Sequence, residues 1–206
     1  RQLASRPEAV KQVAMADRLL ITKCDQASRL ALEGLGAQLA SLNPGAPQQH
    51  VAEGVVAPET VLDCGLWNPG SKSADVARWL ADETVAAQAV LHPYAPRSRG
   101  SAGAIDRHDA SVHAFVVRFD APVSWGDFSS ALDLLQSVKG EHLLRVKGIV
   151  HVRGEERPRV VQCVHHLRYP DAALPAWPDE VRRTRLVFIV RELSREVVDQ
   201  AFACFC

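Results

Sequence analysis

From residue 141 onward, apolar and polar positions take turns. Leu144, Val146, Val150 and Val152 alternate with Arg145, Lys147, Ile149, His151 and Arg153. A period of two puts one apolar and one mostly basic face on a β-strand. Gly154-Glu155-Glu156-Arg157-Pro158 supplies a polar connection, and Val161, Cys163, His165 and Leu167 resume the alternation, which predicts an antiparallel hairpin. Its basic face is expected to be solvated in the first instance, and otherwise to dock on a partner or on the preceding half of the chain. Phe115, Val117 and Phe119 share one face of a strand over residues 112–119. Ser124 and Asp127 then read as a capping box opening a helix whose stripe is Trp125, Phe128, Leu132 and Leu135. After the hairpin and a Pro-rich excursion, Leu174-Pro175-Ala176-Trp177-Pro178, a further strand alternates Leu186, Phe188 and Val190 with Arg185, Val187, Ile189 and Arg191. Ser194 opens a last helix carrying Val198, Ala201, Phe202 and Phe205. The order β-α-β-β-β-α predicts an α+β domain: a mainly antiparallel four-stranded sheet with both helices on one face.

The first ninety residues follow another rhythm. Leu3, Val10, Val13 and Ala14 mark a helix, and Arg18-Leu19-Leu20-Ile21 is a short apolar run of the kind buried in a parallel sheet. Leu32, Leu35, Leu39 and Leu42 fall at helical spacing, Asn43-Pro44-Gly45 ends that helix, and residues 48–52 predict the next parallel strand. Pro58 and Glu59 open a short helix, and Val76, Trp79 and Leu80 give a stripe to another. Helix, strand, helix, strand is part of a doubly wound α/β domain. The first helix follows no strand and Arg1 is not Met, so the expectation is a cut N-terminus, with exposed edges that invite a homo-oligomer. Residues 92–111, rich in Pro, Gly, Ser and charge, read as a linker. The predicted organisation is 1–91, linker 92–111, and 112–206.

Composition narrows the function classes. Lys plus Arg and Asp plus Glu are both 24, so no net field draws the chain to nucleic acid or a membrane surface. A local excess remains: residues 141–195 hold eleven Lys or Arg against seven Asp or Glu. RNA-binding sheets usually present aromatic stacking platforms, and the basic face here shows Arg, Lys, Ile and His instead, so nucleic acid is not the expected partner. No apolar run approaches the roughly 20 residues that span a bilayer. A cytoplasmic protein with five reduced cysteines is the expectation.

Chemistry concentrates in Thr22-Lys23-Cys24-Asp25, set where a parallel strand ends, the place where open α/β sheets bind ligands. The segment resembles the [NT]-K-x-D loop of GTPases, and that resemblance implies that the carboxylate of Asp25 accepts paired hydrogen bonds from N1–H and the exocyclic amine of guanine, a pattern adenine does not offer. The Lys23 stem would lie along the base. The alternative is that Asp25 merely caps the next helix. Cys163 with His165, and Cys204 with Cys206, are weaker candidates as metal ligands.

The run LLRVKGI at residues 143–149, the later V-H-H, LPAWP and RTRLVFI resemble the C-terminal domain of the CobW-type GTPases, a family of GTP-dependent metallochaperones. The T-K-x-D segment is similar to the guanine-reading loop of GTPases, with Thr22 where Asn is commoner. The resemblance implies GTP and Mg²⁺ as cofactors, with Thr22, Lys23 and Asp25 at the base. It further implies delivery of a transition metal such as zinc or cobalt to a client metalloenzyme or a cobalt-inserting partner, in cobalamin biosynthesis in some members. In many relatives the linker is a histidine-rich metal tract; here it keeps His92 and His108. The sequence holds no G-x-x-x-x-G-K-[ST] loop, since Gly70-Ser71-Lys72-Ser73 reads as a turn, and it holds no C-x-C-C segment. The chain alone is therefore not expected to hydrolyse GTP. The competing expectation is a non-catalytic protein-interaction module.

Overall fold

In the computed structural model the described residues are Leu3, 6–62 and 112–205. The Gly70-Ser71-Lys72-Ser73 turn, the Val76, Trp79 and Leu80 helix, the linker with His92 and His108, and Cys206 lie outside them.

Pro7 sits at the start of α1 (Pro7–Met15), where its missing N–H leaves no helical bond unmade, and Val10, Val13 and Ala14 form the buried stripe. β1 (Leu19–Thr22) follows, then a 3₁₀ turn (Cys24–Gln26) and α2 (Arg29–Leu42). Ser28 caps α2 by accepting from Ala31 N–H at 3.3 Å. β2 (Gln48–Val51) returns parallel to β1, from Leu19 opposite Gln48 to Thr22 opposite Val51. This strand–helix–strand unit is the one the spacing predicts. A short α3 (Pro58–Leu62) follows, at the expected Pro58.

The later half is built on β3 (Val112–Phe119), α4 (Trp125–Lys139), β4 (Leu143–Val150), β5 (Arg159–Val164), β6 (Leu167–Arg168), β7 (Ala172–Ala173), β8 (Thr184–Arg191) and α5 (Arg195–Ala203). The sheet runs β3-β8-β4-β5-β6 with β7 beside β5, every pair antiparallel. The four long strands are those of the alternation; two two-residue strands add to the predicted four. Gly148 permits the close approach of β4 to β8, because a Cβ there would stand 2.1 Å from the Arg185 carbonyl oxygen. Both helices cover one face. Phe128, Leu132, Leu135, Val198 and Phe202 meet Phe115, Val146, Val161, Leu186 and Phe188 in one apolar cluster. Phe115 stacks on Phe188, and Phe128 on Phe202, each at 5.5 Å between ring centres. Each such side chain contributes about 1.5–3 kcal/mol on leaving water.

Three expectations for the hairpin are corrected. The basic face is not solvated: Arg145 and Lys147 are buried, at 2% and 3% exposure, because the first half of the chain packs over that side. Leu144 does not join Val146, since a bulge between Leu143 and Arg145 turns Leu144 to the opposite face, against Val10, Val13 and Ile189. Ile149 is buried there too, with Val160, Leu174 and Trp177. Finally, β5 stops at Val164. His165 takes a left-handed conformation (φ 51°), so the chain turns back on itself and Leu167 is exposed on β6 instead of continuing the Cys163 face.

Candidate functional site

β1 is short and pinned to β2 along its whole length, so the direction in which the chain leaves Thr22 is fixed. Thr22, Lys23 and Asp25 are all exposed at that end. Lys23 adopts φ 58°, ψ 33°, a left-handed conformation that costs a residue with a Cβ about 1–2 kcal/mol. Local bonds hold it: Gln26 N–H donates to the Lys23 carbonyl at 3.1 Å, and the Cys24 thiol donates to the Ile21 carbonyl at 3.0 Å. Ser28, not Asp25, caps α2, so the Asp25 carboxylate is not used as a helix cap. A left-handed residue thus stands at the end of a parallel strand, with an exposed carboxylate two residues on.

Behind this loop lies a second group that sequence reasoning missed. Arg145 on β4 donates through Nη1 to the Met15 carbonyl, at the negative end of α1, and through Nη2 to the Asp17 carboxylate. Asn43, just past α2, donates through Nδ2 to the carbonyls of Val13 (2.8 Å), Ala14 (3.2 Å) and Ala16 (2.9 Å). Lys147 shares the buried face. Burial, with the Arg145 charge, pulls its ammonium down from the usual lysine range to about 7, against the opposing pull of Asp17. Arg145 and Lys147 were legible as basic residues; Asp17 gave no signal, because nothing local marks a partner 128 residues away.

Of the metal candidates, Cys163 and His165 are not brought together as ligands, and Cys206, the partner expected for Cys204, lies outside the described residues. Cys163 lies inside the apolar cluster, and burial pushes its thiol up to about 12, far from a thiolate ligand. His165 sits in the turn beyond the strand, with Nδ1 3.3 Å from the Gly140 carbonyl oxygen. Cys204 is exposed at the end of α5. Among the described residues, no group of three or more His, Cys, Asp or Glu could hold a metal ion. No helix among them is long and apolar enough to cross a membrane.

Residues 112–205 match the cobalamin synthesis protein cobW C-terminal domain. The chain is similar to the zinc chaperone YjiA of Escherichia coli, 30% identical over 196 residues, covering 95% of this chain and 54% of that protein. Its fold matches the Zn(II)-bound YjiA GTPase from E. coli at TM-score 0.67 and 25% identity, over 100% of this chain and 57% of that one. A Zn(II)-bound triple mutant of YjiA GTPase gives TM-score 0.66 at 25% identity, over 99% and 56%. The chain thus spans about half the length of the curated relative it matches. Residues 112–205 thus carry a cobW-type C-terminal domain, and it follows a parallel strand–helix–strand unit in a chain that is similar over nearly its whole length to the zinc chaperone YjiA.

Proposed function

We propose that this chain reads guanine through Thr22, Lys23 and Asp25, in a GTP-dependent metallochaperone that hands on a zinc-class ion. The observation that carries the reading is the strained Lys23 at the end of β1, which leaves Asp25 exposed where a base edge can reach it. Its carboxylate accepts from N1–H and the exocyclic amine together, and adenine offers neither donor in that arrangement. The sequence holds no G-x-x-x-x-G-K-[ST] loop to cradle phosphates and place a Mg²⁺-binding hydroxyl, so no hydrolytic step is assigned to it. The family likeness supports the remaining parts. Residues 1–91 belong with a P-loop-type nucleotide domain, and residues 112–206 form the part that meets a client metalloenzyme or a cobalt-inserting partner in the cytoplasm. Cobalt delivery for cobalamin biosynthesis belongs to this same reading.

Saturation-transfer NMR of the chain with guanosine, adenosine and xanthosine tests it. Guanosine should bind and adenosine should not. Asp25→Asn should weaken guanosine by about tenfold or more, since one donor of the base then meets an amide N–H in place of a carboxylate oxygen. The same variant should favour xanthosine, whose C2 carbonyl accepts from the new amide. Equal binding of guanosine and adenosine, or indifference to the substitution, returns the chain to a non-catalytic interaction module.

A further inference from the structure

The path into the base-reading loop is fixed from outside the segment that leads to it. Each carbonyl from Val13 to Ala16 is met by a side-chain nitrogen from elsewhere in the chain: Asn43 takes those of Val13, Ala14 and Ala16, and Arg145 takes that of Met15. Arg145 holds the Asp17 carboxylate as well. Residues 13–17 are thus gripped one after another, and only Arg18 separates them from Leu19, where β1 begins.

Arg145 belongs to β4 of the C-terminal domain and is buried. The cluster that joins the two halves there is apolar, with Val10, Val13 and Ile21 from the first and Leu144 and Ile189 from the second. Cys24, inside the loop itself, packs against that cluster, while Thr22, Lys23 and Asp25 are exposed. A guanidinium buried in such a place is costly, and an apolar residue of similar volume is often as stable or more so. The seating it dictates explains it better than the stability it adds. Arg145 Nε finds no acceptor, so that seating rests on the bonds to Met15 and Asp17. Downstream, β1 is paired to β2 along its length and Lys23 is left-handed, a conformation that a residue with a Cβ keeps where its surroundings over-determine it.

We propose that Arg145 is a positioning residue for the base-reading loop: by gripping Met15 and Asp17 it sets the direction in which β1 delivers Thr22, Lys23 and Asp25. The C-terminal domain then governs how well the preceding unit tells guanine from other purines. This role rests on the guanine reading of that loop. Two parallel bonds from one base edge need a carboxylate set at one angle, whereas a single bond tolerates a tilt. Loss of the grip therefore removes selectivity for the second donor, the exocyclic amine, before it removes binding.

The test uses the full ¹⁵N,¹³C-labelled chain with guanosine and with inosine, which keeps N1–H and lacks the exocyclic amine. The unsubstituted chain should prefer guanosine by about tenfold or more, as a bond to a charged acceptor predicts. Asp17→Asn trades a charge-assisted bond for a neutral one and should lower that preference several-fold. In the ligand-free chain it should also weaken the strong intraresidue amide–Hα NOE of Lys23, the mark of a left-handed residue. Asp17→Ala with Arg145→Met removes both charges together. It should recover much of the stability that Asp17→Ala alone loses and still show the lowered preference, which a merely structural pair would not. Val198→Ala, which cuts into the helix-covered cluster, should leave the preference and the NOE unchanged. An unchanged preference in the double variant overturns the positioning role, as does a Val198→Ala variant that lowers it as much as Asp17→Asn. If the unsubstituted chain binds neither nucleoside, the guanine reading fails and the Lys23 NOE decides the grip by itself: its loss in the double variant upholds the grip, and its persistence overturns it.

Discussion

The two faces of the C-terminal sheet are buried by different means. The helix-covered face is aliphatic and aromatic, and α4 and α5, which cover it, come from the same ninety-four-residue stretch that matches the family domain. The opposite face buries Arg145, Lys147 and Arg185 among valines and isoleucines. Part of its cover comes from α1 and β1, more than a hundred residues earlier, and part from Leu174 and Trp177. An apolar face with a local cover needs only volume and shape. A charged face with a distant cover admits one seating, because each guanidinium must find its acceptor.

The largest effect belongs to the apolar side. Phe128 is fully buried between Trp125 and Phe202, and Phe128→Ala should cost about 3–5 kcal/mol in urea unfolding. A loss below about 1 kcal/mol would break the contrast, by showing that this face is not the one that carries stability. Next comes the charged side. Asp17→Ala strands Arg145 and should cost about 2 kcal/mol, somewhat less than for a wholly buried pair because Asp17 is 33% exposed. Adding Arg145→Met should recover much of that loss, and a double-mutant cycle reads the coupling directly.

The last effect sharpens the comparison through pH. Lys147 has a folded value of about 7 against the ordinary 10.5, so between these the unfolded chain holds the extra proton. Stability should therefore rise as pH increases from about 7, with the burial penalty fully present below that. Cys163 works the other way above about 9, where the unfolded thiol ionises and the folded one does not. Urea midpoints at pH 7 and pH 9 isolate the lysine, and Lys147→Met should flatten the rise. A flat profile in the unsubstituted chain would show that this face holds no neutral lysine.

What the sequence made legible follows the same division. The order of strands and helices, the stripe of Phe128, Leu132 and Leu135, and the helix-breaking Asn43-Pro44-Gly45 were readable, because each depends on neighbours a few residues away. The destination of Arg145 and Lys147 was not, because alternation tells which residues share a face but not what lies over it. The bulge at Leu144 escaped for a related reason: one extra residue reverses the facing of everything before it, with no change in composition. Ile149 was the clue within the pattern, an aliphatic side chain among basic ones on a face assigned to water. At the T-K-x-D loop, the motif was readable and the left-handed Lys23 was not, since no glycine or asparagine announces it.

Asn43 carries a mechanical consequence. One amide nitrogen gathers carbonyls from the last turn of α1 and from the stretch that feeds β1, while its own backbone N–H closes the last turn of α2 on Leu39. Two helices and the entrance to a strand are thus riveted at a single point, so a displacement of either helix is carried to Thr22 with little slack.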